Sequence, residues 1–558
     1  MTLTIEQVTT LVGAHRYGST AAKIGFLLTD SRSLCFPEET LFFALRSERN
    51  DGHNYIPELY RRGVSNFVVV DVPKDYERLY PRANFLKVVS PLKALQRLAE
   101  RHRDAFNVPV IGITGSNGKT MVKEWLYQLL SPSMVVTRSP RSYNSQIGVP
   151  LSVWLMNEET QVGIFEAGIS QPGEMQALRD IIQPTIAVLT NLGAAHQENF
   201  GSMEEKCRQK MLLFHDAHTM VYDADDPIVA KMAAQLDEKG ERLYWSATDR
   251  QAPMFIKGIN KGEAATIIEY VYKQGKSRQY TIPYIDEASI TNSIICMAVC
   301  LCMGLDAKTL EERMLRLEPI AMRMEVKEGR NECTLINDSY NSDINSLDIA
   351  LDFMSRRPDH KGRRRTLILS DIQQSGEEPA ALYREVSDLC VKRGVEKFVG
   401  IGPRISDNAE AIAVREKFFF TTVEAFLRSE VFRTMRDEVV LIKGARQFGF
   451  DQITEQLVEK VHETVLEVNL NAVVANLNYY RSFMKPETKL VCMIKADAYG
   501  AGSVEIAKTL QDHRVDYLAV AVADEGATLR RNGITSNIMI MNPEMSAFKT
   551  MFDFDLEP

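Results

Sequence analysis

Along the chain, short apolar runs alternate with longer stretches in which apolar positions return every three or four residues. That is the pattern of strands alternating with amphipathic helices. Val108–Thr114, Val162–Glu166 and Thr185–Asn191 read as strands, and Met121, Val122, Trp125, Leu126 and Leu129 have helical spacing. Strands separated by helices in this way predict a parallel sheet. A second set follows at Cys333–Asp338, Thr366–Asp371, Lys397–Ile401 and Val439–Lys443, each ending on a polar residue or glycine. Open α/β sheets gather ligands at those carboxyl ends. Upstream, residues 1 to about 105 mix short strands such as Asn66–Asp71 with helical runs. Downstream, Val465–Leu470, Lys489–Lys495, Tyr517–Ala523 and Asn537–Met541 read as strands divided by helices, the first of them Ala472–Met484. Successive βα units of this length predict the opening of a (β/α)₈ barrel, in about 95 residues where a full barrel takes about 250.

The expectation is therefore an α/β protein in four parts: residues 1–105, 106–319, 320–463 and 464–558. A chain of 558 residues is too long for one core, which agrees with that division. Composition adds mainly exclusions. Apolar residues make up 45% and charged residues 25%, as in ordinary globular proteins. The formal net charge of −8 gives no electrostatic reason for a nucleic-acid or anionic-membrane partner. Any anionic substrate must be held by local groups. The 8 cysteines form no CxxC pair, and Cys296, Cys300 and Cys302 fall in an apolar run that reads as a buried helix. Reduced thiols, the absence of signal-peptide character in Met1-Thr-Leu-Thr-Ile-Glu6 and the lack of a membrane-length apolar stretch predict a cytoplasmic protein.

The candidate chemistry centres on Gly112-Ile-Thr-Gly-Ser-Asn-Gly-Lys-Thr120, a glycine-rich turn between a strand and a helix. Glycines let backbone amides close on phosphate oxygens, and a helix N-terminus favours anions. Lys119 is placed to neutralise β/γ-phosphates and the Thr120 hydroxyl to ligate Mg²⁺. The spacing is G-x-x-G-x-x-G-K-T, with Ile113 where the commoner GxxxxGK[ST] motif has its first glycine.

This loop resembles that of the Mur ligase family, enzymes that add amino acids or peptides to a UDP-linked muramoyl precursor. They activate a carboxylate as an acyl phosphate at the expense of ATP before an amine attacks. The resemblance implies a three-domain fold: an N-terminal UDP-binding α/β domain, a central P-loop parallel-sheet domain and a C-terminal Rossmann-like domain. It implies ATP contacts from Gly115, Ser116, Asn117, Gly118, Lys119 and Thr120. Tyr143-Asn144-Ser-Gln-Ile-Gly-Val-Pro150 is similar to a substrate-side segment, giving Asn144 a substrate role. Glu166, ending Phe165-Glu-Ala-Gly168, becomes a Mg²⁺ ligand; taken alone, a Glu at a strand end is a solvated rim residue. His196, in Thr190-Asn-Leu-Gly-Ala-Ala-His196, matches a ligand for a second magnesium, although Mg²⁺ prefers oxygen donors. Lys210 matches a lysine carbamylated by CO₂ in many family members, with Lys206 one helical turn earlier as the alternative. Lys119, Lys210 and His196 are thus the expected catalytic groups. His215 and His218 read as surface residues.

Further along, Asn292 matches a residue beside adenine, Arg323 one that reaches the ATP phosphates, and Asp338 of Ile336-Asn-Asp-Ser-Tyr-Asn341 one that binds ribose. Ser370-Asp371 and Lys443-Gly-Ala-Arg446 complete the resemblance of the third part. Departures stand at Leu212, where an acidic residue often follows the lysine; at Met322, in place of glycine; and at Ala288-Ser289, in place of His-Asn. In the first part, Asp30-Ser31-Arg32, Thr40–Leu45 and Asn50-Asp51-Gly-His53 resemble the uridine-nucleotide domain, so Ser31, Arg32, Asp51 and His53 are expected at the UDP substrate. No D-N-P-[KR] segment occurs, and the D-x-Y-N-x-x segment favours members that join D-alanyl-D-alanine to UDP-muramoyl tripeptide. Another Mur-type amino-acid ligase and a non-catalytic nucleotide-binding module are the alternatives.

Val465–Leu470 and Met493-Ile-Lys-Ala-Asp-Ala-Tyr-Gly500 resemble the start of an alanine racemase. There Lys495 matches the lysine that holds pyridoxal phosphate and Tyr499 a cofactor-pocket residue. PLP and dimerisation are expected only of a complete racemase domain. The 464–558 segment, an incomplete barrel, is expected to be inactive as a racemase, with Pro558 either a natural end or a truncation.

Overall fold

The computed structural model describes every residue except 1, 35, 48–49, 141, 194–198, 237–239, 319–324, 340–343, 357–361, 373–377, 446–447, 459–465 and 486. His196, Met322, Arg323, Tyr340, Asn341 and Arg446, and with them part of the expected site, lie outside the described residues. The chain forms two compact units, one of residues 1–108, 131–161 and 464–558 and the other of 109–130 and 162–463. Among the described residues no helix is long and apolar enough to cross a membrane.

In the first unit the N-terminal sheet has the strand order His15–Tyr17, Asn84–Lys87, Asn66–Val69, Thr40–Phe43, Phe26–Leu28. All neighbours are parallel except the first pair. Its inner strands are apolar on both faces because both are covered. Helices Ile5–Val12 and Pro91–Arg103 bury Ile5, Val8, Leu95 and Leu98 against one face. Phe42, Phe67 and Phe85 fill the other, the latter two stacked with ring centroids 5.4 Å apart. Trp154 joins the first of these clusters and donates from Nε1 to the Gly25 carbonyl at 2.9 Å.

Residues from 466 onward in the same unit form a parallel three-stranded sheet, Val491–Met493, Tyr517–Val520 and Asn537–Ile540. Each strand is followed by a helix, as a barrel opening requires. The expected first strand, Val465–Leu470, is absent among the described residues of that stretch. Residues 466–469 have no regular structure, and a helix begins at Leu470 under an Asn469 cap whose Oδ1 accepts from the Ala472 amide at 3.1 Å. Alternating apolar residues are compatible with a strand, but a strand persists only where a neighbour takes up its backbone groups.

In the second unit the central sheet runs, in spatial order, Ser277–Ile282, Thr266–Tyr272, Met254–Lys261, Glu241–Ser246, Thr219–Asp223, Ile186–Leu189, Val110–Thr114, Val162–Glu166. Its inner strands are parallel, and the last three before Glu287 form an antiparallel meander at one edge. Helix Glu287–Cys302 is apolar and buried from Ile294 to Cys300, which explains the cysteines there: burial pushes the Cys296 and Cys300 thiols well up, so they pack as small apolar groups.

A second sheet in this unit has the order Glu325–Gly329, Cys333–Asp338, Glu438–Lys443, Arg364–Ser370, Lys397–Ile401, Glu416–Phe420. It is parallel but for its first pair. At its amino-terminal edge Glu438, 1% exposed, accepts from Arg364 (2.8 Å), Lys397 (3.1 Å) and Thr366 (2.6 Å). Neutralising one member of such a cluster strands a buried charge. Glu438→Gln should therefore lower stability by about 3–5 kcal/mol. Glu416→Gln, at a half-exposed partner of Arg364, should change it by no more than about 1 kcal/mol. Denaturant titration of the two variants tests the difference.

Candidate functional site

The buried strand Val110–Thr114, held between Val162–Glu166 and Ile186–Leu189, delivers the chain into the phosphate loop. Gly115 has φ +146°, and a Cβ there would lie 1.9 Å from Thr190 Oγ1. Gly118 has φ +82°, again a conformation that glycine tolerates best. Helix Lys119–Leu130 starts at the next residue. The loop is clamped by the segment after Ile186–Leu189. Asn191 accepts the Ser116 amide on its carbonyl at 3.0 Å and the Asn117 amide on Oδ1 at 2.8 Å. Thr190 Oγ1 donates to the Asn117 carbonyl, and Ser116 Oγ accepts from the Gly193 amide at 2.8 Å.

Three lysines converge here. Lys119 Nζ donates to the carbonyls of Gly115 at 2.8 Å and Ser116 at 3.0 Å. Lys210 Nζ, from helix Met203–Met211, donates to the same Gly115 oxygen at 3.0 Å. Lys206, one turn earlier, donates to the Gly193 carbonyl. Burial, reinforced by the charges of Lys119 and Lys206, holds the Lys210 amine well below the usual lysine range. The two alternatives from the sequence thus differ in place: the Lys210 amine meets the phosphate loop at the Gly115 carbonyl and the Lys206 amine the Gly193 carbonyl.

Glu166 is fully buried rather than at a solvated rim. Thr120 Oγ1 donates to its Oε2 at 3.1 Å, and Lys123 Nζ lies 3.1 Å from its Oε1 and 3.0 Å from Glu124 Oε1. A buried carboxylate beside a hydroxyl at the mouth of a phosphate loop is a donor set that suits Mg²⁺. Lys123 was not legible as part of this cluster; its one signal is a lysine in the apolar stripe of Val122, Trp125 and Leu126. Downstream, Glu174 accepts the Ser170 and Gln171 amides, and the Gly173 amide donates to Gln209 Oε1 at 2.9 Å, tying that loop to the lysine-bearing helix.

Beside the phosphate loop a cavity of about 280 Å³ is lined by Asn117, Gly118, Asp223, Asn292, Asp338 and Lys443, among others. It therefore brings together expected ATP contacts more than 200 residues apart in sequence. Asn292 Nδ2 rests on Met121 Sδ at 3.1 Å. Asp223, which the sequence did not single out, is raised to about 6 by burial, helped by the nearby Asp225 and Asp226 carboxylates. Asp371 caps the turn at Gly402-Pro403 through the Ile405 and Arg404 amides, a structural task.

The expected UDP contacts lie in the first unit. Asp30 accepts the Arg32 amide at 3.0 Å and pairs in two-pronged fashion with its guanidinium, whose side chain is 87% exposed. The Ser31 carbonyl accepts from Arg62 at 3.0 Å. Asp51 is held by Arg46 at 2.9 Å and by His53 Nδ1 at 2.6 Å. His53 Nε2 accepts the Val70 amide at 3.1 Å, so both ring nitrogens of His53 are engaged within the domain. Asn144 is half-buried in the turn before helix Gly148–Val153. His215 and His218 are exposed, as expected of surface residues.

Lys495, in the same unit, is exposed at the carboxyl end of Val491–Met493. The next four residues, Ala496–Tyr499, make a left-handed turn with φ of 51–59°, and Tyr499 is 67% exposed. Neither side chain is walled in as a PLP pocket would require.

A phosphate loop on a parallel sheet, opening on a cavity shared with a second parallel sheet, defines a nucleotide-binding α/β protein. The family models agree on the kind: the Mur ligase middle domain matches residues 113–300 and the Mur ligase glutamate ligase domain matches residues 322–446. The chain belongs to the Mur ligase family. The alanine racemase N-terminal domain matches residues 468–558. The chain is 24% identical over 442 residues to the UDP-N-acetylmuramoyl-tripeptide--D-alanyl-D-alanine ligase of Bacillus subtilis, covering 77% of this chain and 92% of that protein. To the Escherichia coli protein of the same name it is 23% identical over 463 residues, covering 82% and 99%. Among solved structures it is similar to MurF from Acinetobacter baumannii, with a TM-score of 0.72, 21% identity and coverage of 82% and 99%. It is also similar to MurF ligase from Thermotoga maritima in complex with ADP, with a TM-score of 0.65, 22% identity and coverage of 77% and 96%. These likenesses bear out the α/β Mur ligase fold expected from the sequence.

Gly115→Ala forces a Cβ onto the Thr190 hydroxyl that fastens the Asn117 carbonyl. Nucleotide affinity, measured by titration with a fluorescent ATP analogue, should fall at least about tenfold. Far-UV circular dichroism should stay unchanged.

Proposed function

We propose that the chain joins D-alanyl-D-alanine to UDP-N-acetylmuramoyl-tripeptide with ATP, through an acyl phosphate, in cytoplasmic peptidoglycan synthesis. The observation that carries this reading is the cationic phosphate loop, with Lys119 and Lys210 on one carbonyl and the Thr120–Glu166 pair beside it. The names of the relatives supply the substrates.

In this reading residues 1–105 bind the UDP end through Ser31, Arg32 and Asp51, with His53 orienting Asp51 and Asn144 on the substrate side. Residues 106–319 hold the phosphates on Gly115, Ser116, Asn117, Gly118 and Lys119. Residues 320–463 supply Asp338 and Arg323 to the nucleotide, and Asn292 stands by the adenine. A substrate carboxylate oxygen attacks the γ-phosphorus, and the bond to the ADP oxygen breaks. Lys119 offsets the charge that collects on the phosphoryl oxygens. The amine of D-alanyl-D-alanine then attacks the acyl carbon, phosphate departs with the C–O bonding electrons, and the nitrogen gives up a proton. Thr120 and Glu166 would hold Mg²⁺, which supplies charge neutralisation at the β/γ-phosphates, and His196 is the candidate ligand for a second ion.

Burial of Lys210 on the phosphate loop supports its carbamylation. A neutral amine is the form that attacks CO₂, and Lys210 is held well below the usual lysine range. The new N–C bond releases one proton and places an anion between Lys119 and Lys206. Incubation with ¹³C-bicarbonate should give one carbamate carbon resonance, lost in Lys210→Gln and kept in Lys206→Gln; the reverse pattern would move the site to Lys206. The 464–558 segment is read as a racemase-like barrel opening.

ADP release should require both UDP-muramoyl tripeptide and D-alanyl-D-alanine and fall at least about a hundredfold in Lys119→Ala. Nucleotide binding without such release would instead favour a non-catalytic module, and release with a different amine another Mur-type ligase.

A further inference from the structure

Asp338 and Lys443 are the last residues of neighbouring parallel strands and stand in direct register. Residues so paired point to the same face of a sheet, here at the carboxyl ends where the nucleotide cavity opens. Lys443 Nζ donates to Asp338 Oδ2 at 2.8 Å. Lys443 is 1% exposed and Asp338 8%. Among the described residues Asp338 Oδ1 has no hydrogen-bond partner, and both side chains line the cavity.

The chain after Lys443 is fixed in turn. The Ala445 amide donates to Ser370 Oγ at 2.9 Å, and a Cβ on Gly444 would lie 2.5 Å from the Phe450 ring. A lysine so thoroughly buried and anchored is not a mobile phosphate clamp. Its ammonium is spent on one carboxylate oxygen, which fixes the carboxylate plane and leaves the other oxygen as a hydrogen-bond acceptor at the cavity wall.

We infer that Lys443 is a positioning residue for the nucleotide ribose: it orients Asp338 so that Oδ1 accepts from the ribose hydroxyls. The inference rests on the reading of Asp338 as the ribose acceptor. An uncompensated buried carboxylate would turn away or take a proton, so Lys443 acts through Asp338 and not on the ligand.

Calorimetric titration of the full chain with ATP, adenosine and 2′,3′-dideoxy-ATP tests this. The wild-type chain should prefer ATP to the dideoxy nucleotide by about tenfold. Lys443→Met should weaken ATP and adenosine by the same factor, about tenfold. It should leave dideoxy-ATP within about twofold, erasing the preference. Lys443→Gln, which keeps a donor without the charge, should fall between and serves if the Met variant does not fold. Lys443→Met should add no further loss to Asp338→Asn. Retention of the full preference in both Lys443 variants overturns the inference while leaving the ribose reading of Asp338 intact. A loss confined to ATP, with adenosine unaffected, overturns it in favour of phosphate contact. Equal wild-type affinity for ATP and its dideoxy form overturns the ribose reading itself, and the inference with it.

Discussion

Lys119 and Lys210 share the Gly115 carbonyl oxygen, so their amines stand no more than about 6 Å apart. At an effective dielectric near 20, two full charges at that distance repel by about 3 kcal/mol, and Lys206 adds to the load. A folded protein keeps such a cluster only if something offsets it. The carbonyls of the loop do part of this, and burial beside Lys119 and Lys206 holds the Lys210 amine well below the usual lysine range. Phosphate anions, and a carbamate on Lys210, would complete the balance. The cost of holding these lysines together without an anion is relieved by an anion at the loop, which is the charge the proposed reaction brings there.

Around that cluster the fold is arranged by strand polarity. The central sheet delivers Gly115, Glu166 and Asn191 from three adjacent parallel strands, and the second sheet delivers Asp338, Ser370 and Lys443 from three more. Because these residues stand at or just beyond the carboxyl ends of parallel strands, backbone geometry does most of the placing. Side-chain contacts such as Thr120 to Glu166 and Lys443 to Asp338 then set the donors and acceptors.

Much of this was legible in the sequence, for physical reasons that differ by residue. Buried parallel strands are apolar on both faces, so Val162–Glu166 and Lys397–Ile401 showed as continuous runs with the bounds the structure has. The phosphate loop showed because glycine at positive φ and a Lys-Thr helix start are local requirements. Contacts made across the fold did not show. Lys123 meets Glu166 only once a helix packs on its strand, and Asn191 clamps the loop only through a sheet register. His53 was expected at the UDP substrate from the resemblance of Asn50-Asp51-Gly-His53 to a uridine-nucleotide domain; the hydrogen bonds of its two ring nitrogens to Asp51 and to the Val70 amide were not legible in that motif. The Met254–Ile282 meander was missed because its residues alternate weakly in polarity, and Val465–Leu470 was over-read because alternation does not guarantee a partner strand.

The acyl phosphate links the lysine cluster to the peptide bond, and isotope transfer follows it directly. UDP-muramoyl tripeptide labelled with ¹⁸O in its terminal carboxylate should be turned over with ATP and D-alanyl-D-alanine, and the released phosphate analysed by mass. One ¹⁸O atom in inorganic phosphate for each peptide bond formed is the expected result. Peptide-bond formation with the label absent from phosphate would contradict carboxylate activation at this loop.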